Sequence, residues 1–320
     1  MPETPEDFRV DEVALYPPSG AGGHTFVRIE KRGRTTEEAV REVARQSGAR
    51  PRDIGYAGRK DKRAITTQWI SIPDLDPDRA LAIAADGLRV LEAARHPHKL
   101  RTGHLAHNRF ELVVREVDDV TYDRAVATLD AIALRGMPNR FGAQRFGRDG
   151  DNAAQGQAIL RGEHAPRDRR KARFLVSALQ SAVFNQVLSE RARIDQVEPG
   201  DVAVVHESGG QFVVESSEIE GPRAERFEIS PTGPIFGTKV IQPAGAVAER
   251  ERAVLEAHGI PVEGLRPPRG VPVRGARRAL RVRPDDARIA REGDAARLCF
   301  ALRPGSYATV LLEELFGHSG

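Results

Sequence analysis

The stretch GYAGRKDKRAITTQW, residues 55–69, holds one carboxylate, Asp61, between Arg59-Lys60 and Lys62-Arg63. Neighbouring cations lower a carboxyl pKa and keep it ionised, ready to act as nucleophile or base, and the same cations attract phosphates. An exposed ion pair of little energetic worth has the same composition, so this stretch alone leaves both readings open. A second set of residues suits a flat heterocycle. NRFGAQRFG places Asn139, Phe141, Gln144, Arg145 and Phe146 together, RPGSYATV presents Tyr307, and EDFRV offers Phe8. Aromatics on glycine-flanked loops, beside amides and arginines, can stack a base and hydrogen-bond its edges. The alternative is that each ring closes a core at the end of a strand.

Other motifs fail on their chemistry. GPIFGTK, residues 233–239, has Gly-Thr-Lys where a phosphate loop needs Gly-Lys-Thr to aim the lysine. PPSGAGGH, residues 17–24, lacks the strand, GxGxxG and helix context of a dinucleotide site and reads as a turn. His96, His98, His104 and His107 are dense but show no HExxH spacing, so a basic, partly RNA-facing loop accounts for them better than a metal does.

These residues need elements to hold them. HTFVRIEK, residues 24–31, alternates as a strand. RTTEEAVREVARQSG reads as a helix with a Thr35/Glu38 capping box, Val40, Val43 and Ala44 on one face, and Gly48 as its stop. Strands are expected at 64–72 and 108–117, which puts Asp61 in a loop feeding a strand. A helix at about 122–134 turns Val126, Leu129 and Ala133 inward, and 137–150 is a glycine-punctuated loop.

The composition shifts at the basic segment 161–174. It leads into the helix FLVSALQSAVFNQVLSERAR, with Leu175, Ala178, Leu179, Ala182 and Val183 at helical spacing. Short strand pieces follow (DVAVVH, QFVVES), then a proline- and glycine-rich stretch near 230–245, a helix at about 246–258, and a second such stretch at 261–275. The end of the chain alternates as strands and closes in a short helix. The pattern is α+β, with an irregular middle inserted between two parts of a sheet-based domain.

The chain of 320 residues is 40% apolar, enough for a sizeable core. A lone Cys299 excludes an intrachain disulfide and a cysteine-built zinc site, which suits a reducing cytoplasm. The N-terminus has no signal-like apolar run, and no stretch approaches the roughly 20 apolar residues of a membrane span. Net charge is only +3, so the placement of the cations matters more than their sum.

Five segments, in order, resemble the TruD-type tRNA pseudouridine synthases: GYAGRKDKRAITTQW, ARHPHKLRTGHLAHNRFELVVRE, MPNRFGAQRFGRDGDN, SALQSAVFNQVLSER and LRPGSYATVLLEEL. The resemblance runs from Pro5 onward and is weakest between about 200 and 270. It implies a pseudouridine synthase catalytic domain on a mixed, largely antiparallel sheet, formed by 1–165 and 283–320 and interrupted by an α/β insertion (TRUD) domain at 166–282. It also implies the substrate, a uridine of tRNA, for bacterial members typically position 13 in the D arm.

The family's catalytic aspartate falls on Asp61, as nucleophile. Its asparagine and second aromatic of NRFG fall on Asn139 and Phe141, the phenylalanine of EDF falls on Phe8, and the terminal aromatic, often Phe, is Tyr307 here. Arg59, Lys60, Lys62 and Arg63 are expected on the RNA backbone, and the basic run 161–173 with Arg277 and Arg278 is expected to extend that face. There are departures. Members usually carry a strand and a basic residue ahead of PEDF, whereas this sequence starts only a few residues earlier, and the family's GEGEH reads GAGGH at 20–24.

Pseudouridylation breaks the C1′–N1 bond and rejoins the uracil through C5, so its product is an isomer and no cofactor or metal is called for. A covalent sugar adduct, attack on the base, and elimination all remain open to the carboxylate. The expected partner is tRNA, with no membrane and no obligate protein partner, for a cytoplasmic monomer. Two other classes compete: a non-catalytic RNA-binding or RNA-folding protein on the same fold, and a different base-modifying enzyme such as a glycosylase.

Overall fold

In the computed structural model, residues 4–163, 166–261, 267–268 and 270–317 are described. The chain forms two compact units, Met1–Leu129 with Pro284–Gly305 and Leu315–Gly320, and Asp130–Arg283 with Ser306–Glu314. These units divide the chain after Leu129, Arg283, Gly305 and Glu314.

In the first unit the chain supplies β1 (Phe8–Ala14), β2 (His24–Lys31), helix α1 (Thr36–Ser47), β3 (Gly55–Tyr56), β4 (Ile65–Pro73), a short α2 (Pro77–Leu81), β5 (Ala84–Ala85), β6 (Leu88–His96), β7 (Leu105–Val114) and the start of α3 (Asp119–Arg135). The local chemistry of α1 is as the sequence predicts. The Thr35 hydroxyl accepts from the Glu38 amide at 3.1 Å, the Glu38 carboxylate accepts from the Thr35 amide at 2.7 Å, and Gly48 ends the helix at φ 77°. The buried face of α1, Ala39, Val40, Val43 and Ala44, packs on Val27, Ile29, Ile70 and Ile72 of the sheet. Each fully buried valine or isoleucine there contributes roughly 1.5–3 kcal/mol, so this face fixes α1 against β2 and β4.

Phe26, Trp69, Leu100 and Leu105 form a separate buried cluster. His96 ends β6 inside the same neighbourhood, its ring 4.1 Å from Phe26 and stacked on Tyr16 at 5.2 Å, while the Tyr16 hydroxyl is hydrogen-bonded to His104 Nδ1 at 2.8 Å. Of the four histidines expected on a partly RNA-facing loop, His98 is exposed and His104 and His107 are half-buried, whereas His96 departs from that expectation. The apolar partners of His96 take it into the core, and burial holds its pKa below the usual histidine value.

The second unit contains β8 (Met137–Pro138), α4 (Asn152–Leu160), α5 (Arg169–Ser189), β9 (Val202–Val205), β10 (Gln211–Val213), α6 (Ser217–Glu225), β11 (Ile229–Ile235), α7 (Gly245–Ala257), β12 (Ala276–Ala279) and β13 (Arg281–Val282). Ile159 of α4, Leu175, Leu179 and Val183 of α5, and Val254 of α7 share one core. Helix α5 starts earlier than its apolar spacing indicates. Asp168 caps it through the Arg170 amide at 2.8 Å, so the cations Arg169, Arg170, Lys171 and Arg173 are helical.

The stretch near 230, read as irregular, is a strand. Ile229–Pro231 of β11 pair with β9, and Thr232–Ile235 pair with β12. Pro231 and Pro234 are tolerated because the strand hands over from one neighbour to the other, so each proline lies where only one side has a registered partner.

The chain then returns to the first unit as β14 (Asp285–Glu292) and β15 (Ala295–Leu302), before the terminal helix α8 (Ala308–Phe316). The completed nine-stranded sheet has the order β14-β15-β7-β1-β4-β2-β6-β5, with β3 added beside β4. Its β1/β4 pair is parallel and the other registered pairs are antiparallel, giving the mixed, largely antiparallel α+β sheet that was expected.

Candidate active site

Asp61 stands exposed on the loop between β3 and β4, and that loop is tied down from below. Its own carboxylate accepts from the Arg63 amide at 2.8 Å, a short turn that orients the side chain. Lys31, fully buried at the end of β2, donates to the Asp61 carbonyl at 2.6 Å and to the Arg34 carbonyl at 2.7 Å. Burial pushes the Lys31 pKa down to about 8, opposed by the negative charge of Asp61. The Lys60 amide donates to the Thr36 hydroxyl at 2.9 Å, and that hydroxyl donates to Gln68 at 2.9 Å. The loop therefore presents a carboxylate on a backbone held by β2, β4 and the first residue of α1.

The four cations around Asp61 divide by direction. Lys60 points inward, its ammonium 2.5 Å from the Glu12 carboxylate and 2.8 Å from Asn108 Oδ1. Glu12 also accepts from the Trp69 amide at 3.0 Å. Lys60 is thus spent on the sheet, although the sequence suggests a phosphate contact. Arg59, Lys62 and Arg63 are exposed, with Arg59 2.6 Å from Glu37 and Lys62 3.1 Å from Glu38. Phe8, half-buried, opens β1 opposite Leu112, just after Asp7. The Arg115 guanidinium donates to Asp7 at 2.7 and 3.1 Å and holds its carboxyl down to about 2.

The second unit gathers Asn139, Phe141 and Tyr307 from segments far apart in sequence. Asn139 is buried, with its amide nitrogen on the Ala279 carbonyl at 3.0 Å and its backbone amide on the Leu280 carbonyl at 2.8 Å. Asn185 of α5 clamps the backbone of Phe141 from both sides, at 2.8 and 2.9 Å. The Phe141 ring meets Tyr307 at 5.9 Å and Phe184 at 5.6 Å, both edge to face. The Arg278 guanidinium lies 4.2 Å from the Phe141 ring centre. Arg145 bonds Ser177 and Ser181 of α5 at 2.7 and 3.2 Å, and Phe174 lies against it at 5.3 Å.

Two further residues belong to this cluster: Asn185, which sequence reasoning missed, and Arg278, which it placed on the RNA face. Asn185 lies in a segment carrying the family resemblance, yet its spacing looks like that of any polar residue on an amphipathic helix. Arg277 and Arg278 were expected together on an RNA face, and the structure corrects that. Adjacent residues of a strand point to opposite sides, so β12 sends Arg277 into a buried pair with Glu251, at 2.6 and 2.7 Å, and Arg278 toward Phe141.

The family model described as tRNA pseudouridine synthase D (TruD) matches residues 1–166 and 168–315. A tRNA pseudouridine synthase D of Anaeromyxobacter dehalogenans (strain 2CP-C) is 50% identical over 97% of this chain and 91% of its own length. That of Geobacter sulfurreducens is 39% identical over 99% and 94%. A Methanosarcina mazei chain solved under the TruD name superposes with a TM-score of 0.78 at 24% identity, over 99% of this chain and 93% of that one, which shows the shared fold. On the family match and the two bacterial relatives together, this chain belongs to the TruD family.

Proposed function

We propose that this protein isomerises a uridine of tRNA to pseudouridine, at position 13 of the D arm, with Asp61 as its nucleophile. The observation that carries the reading is the Asp61 loop, an exposed carboxylate on a backbone fixed by Lys31 and Thr36 and bordered by outward-facing cations. A preorganised carboxylate loses little ordering entropy when the nucleotide arrives. Departure of uracil from C1′ builds positive charge on the ribose, which an ionised carboxylate stabilises directly or captures as a bond.

Phe141 and Tyr307 offer apolar faces for a base withdrawn from its stack, Asn139 an amide for its edge, and Phe8 a further ring. Arg59, Lys62 and Arg63 take the phosphates. The insertion at 166–282 is assigned the role of shaping the RNA cleft, supported by the cationic start of α5. We assign the protein to the cytoplasm, as a monomer. No helix among the described residues is long and apolar enough to cross a membrane.

Incubating the protein with tRNA transcripts carrying 5-tritiated uridine tests the proposal. C5 loses its proton when it bonds to C1′, so tritium release reports the isomerisation. Release that Asp61→Asn abolishes with tRNA binding kept supports the reading. Binding without release would favour an RNA-folding protein, free uracil a glycosylase, and an Asp61→Asn variant as active as the parent would remove the nucleophile assignment. Transcripts changed at position 13 locate the target.

A further inference from the structure

We propose that Arg278 is a positioning residue of the reaction, fixing the Asn139 amide and the Phe141 ring in the orientation that receives the base. The inference rests on the reading of Asn139 and Phe141 as base-binding residues. Arg278 Nε donates to the Asn139 carbonyl at 3.0 Å, and its terminal nitrogen donates to Asn139 Oδ1 at 2.5 Å. The same guanidinium stacks against Phe141 at 4.2 Å and Phe184 at 5.4 Å.

An asparagine amide can present its oxygen or its nitrogen to a given neighbour, and the choice decides what it offers a uracil edge. A guanidinium is donor only, so Arg278 selects Oδ1 and turns Nδ2 to the Ala279 carbonyl. One N–H and one lone pair of Asn139 are left, in fixed directions. Opposite Arg278 in the strand register stands Gly233. A Cβ there would come within 3.1 Å of the Phe184 ring, so the glycine makes room for the ring on which Arg278 rests. Burial pushes the Arg278 pKa down to about 10, which leaves it charged at neutral pH.

Lysine keeps the charge but cannot form the fork to two oxygens while lying flat on a ring. Arg278→Lys is therefore expected to lower the single-turnover rate of tritium release about 10- to 100-fold, the scale of a small misplacement, with the Kd for tRNA within about 2-fold of the parent. In an Asn139→Ala background the same change should cost clearly less than in the parent, because the amide is gone and only the Phe141 ring is left to position. Melting temperatures of all variants are measured alongside. Should Arg278→Lys melt below the assay temperature, Arg278→Gln, which retains one donor for Asn139 Oδ1, carries the same comparison.

Full activity in a folded Arg278 variant would overturn the proposal. So would an undiminished effect in the Asn139→Ala background, or a loss seen only as weaker tRNA binding, which would make Arg278 a phosphate contact. A parent that releases no tritium would instead defeat the proposed function itself.

Discussion

The Lys60 ammonium sits 2.5 Å from the Glu12 carboxylate, with the two side chains only 6% and 1% exposed. The residue next to the candidate nucleophile is therefore an anchor into the sheet. Removing one member of a buried pair leaves the other charge uncompensated, whereas removing both together removes the problem. Glu12→Gln is expected to cost about 3 kcal/mol of unfolding free energy or more, with Glu12→Gln/Lys60→Met recovering most of it. Urea unfolding of the two variants checks this. A double variant less stable than the single one would show that the pair is not the source of the loss.

The outward cations should behave differently from Lys60. Arg59 and Lys62 sit in exposed pairs with Glu37 and Glu38, which add little to stability and leave them available to phosphate. Arg63→Ala, or Lys62→Ala, should weaken tRNA binding and reduce the slope of log K against log salt by about 1 per phosphate contact removed. Lys60→Met should leave the slope where it was. Binding titrations across a salt series separate the two groups, and an equal slope change for Lys60→Met would contradict the inward assignment.

Much of this could be read from the residues, and what could not has a physical reason. The box at Thr35 and Glu38, the alternation of 24–31, and the loop before Ile65 depend on neighbours in sequence, and the structure has them where the pattern puts them. Strand β11 was hidden by Pro231, Gly233 and Pro234, which signal a turn unless one knows that pairing switches sides along it. Helix α6 was hidden by Gly221 and Pro222. The first turn of α5 was hidden by cations that oppose the helix dipole. In the proposed site, residue types left Asp61, Asn139, Phe141 and Tyr307 open to two readings and the family resemblance singled them out, but the inward turn of Lys60 and the fork of Arg278 depend on strands distant in sequence.

Asp7 gives a prediction in pH. Its folded pKa of about 2, lowered chiefly by the Arg115 hydrogen bonds, lies below the ordinary 3.8. The folded state then binds fewer protons at Asp7 than the unfolded state does. The stabilisation is complete above about pH 4 and is lost as pH falls through the folded pKa of about 2. The difference in melting temperature between the parent and Asp7→Asn should be constant from pH 7 to about 5 and shrink toward pH 2.5. Because Asp7 immediately precedes Phe8, the variant should also lose activity at neutral pH, with Asp7→Glu retaining more of it. A melting difference that widened on acidification would refute the linkage.

The approach of Gly142 to the terminal aromatic offers the sharpest test of the second-unit cluster. Gly142 has an ordinary φ of −71°, so its small size and not its backbone freedom is what the position uses. A Cβ there would stand 3.1 Å from Tyr307 Cδ1, 2.9 Å from the Thr309 hydroxyl and 2.8 Å from Gln144 Oε1. Gln144 can swing away, whereas Tyr307 packs edge to face on Phe141 and must shift as a unit. Gly142→Ala should therefore lower the single-turnover rate about 10-fold or more while keeping tRNA affinity, since it displaces a stacking ring without removing a phosphate contact. Tyr307→Phe, which keeps the ring and drops only the hydroxyl, should stay within about 2-fold of the parent, and Tyr307→Ala should fall at least as far as Gly142→Ala, about 10-fold or more. Rates for the three variants measured with saturating tRNA decide the matter. A Gly142→Ala enzyme as fast as the parent, beside an impaired Tyr307→Ala, would mean that the ring tolerates displacement and that its stacking geometry is looser than the edge-to-face contact implies.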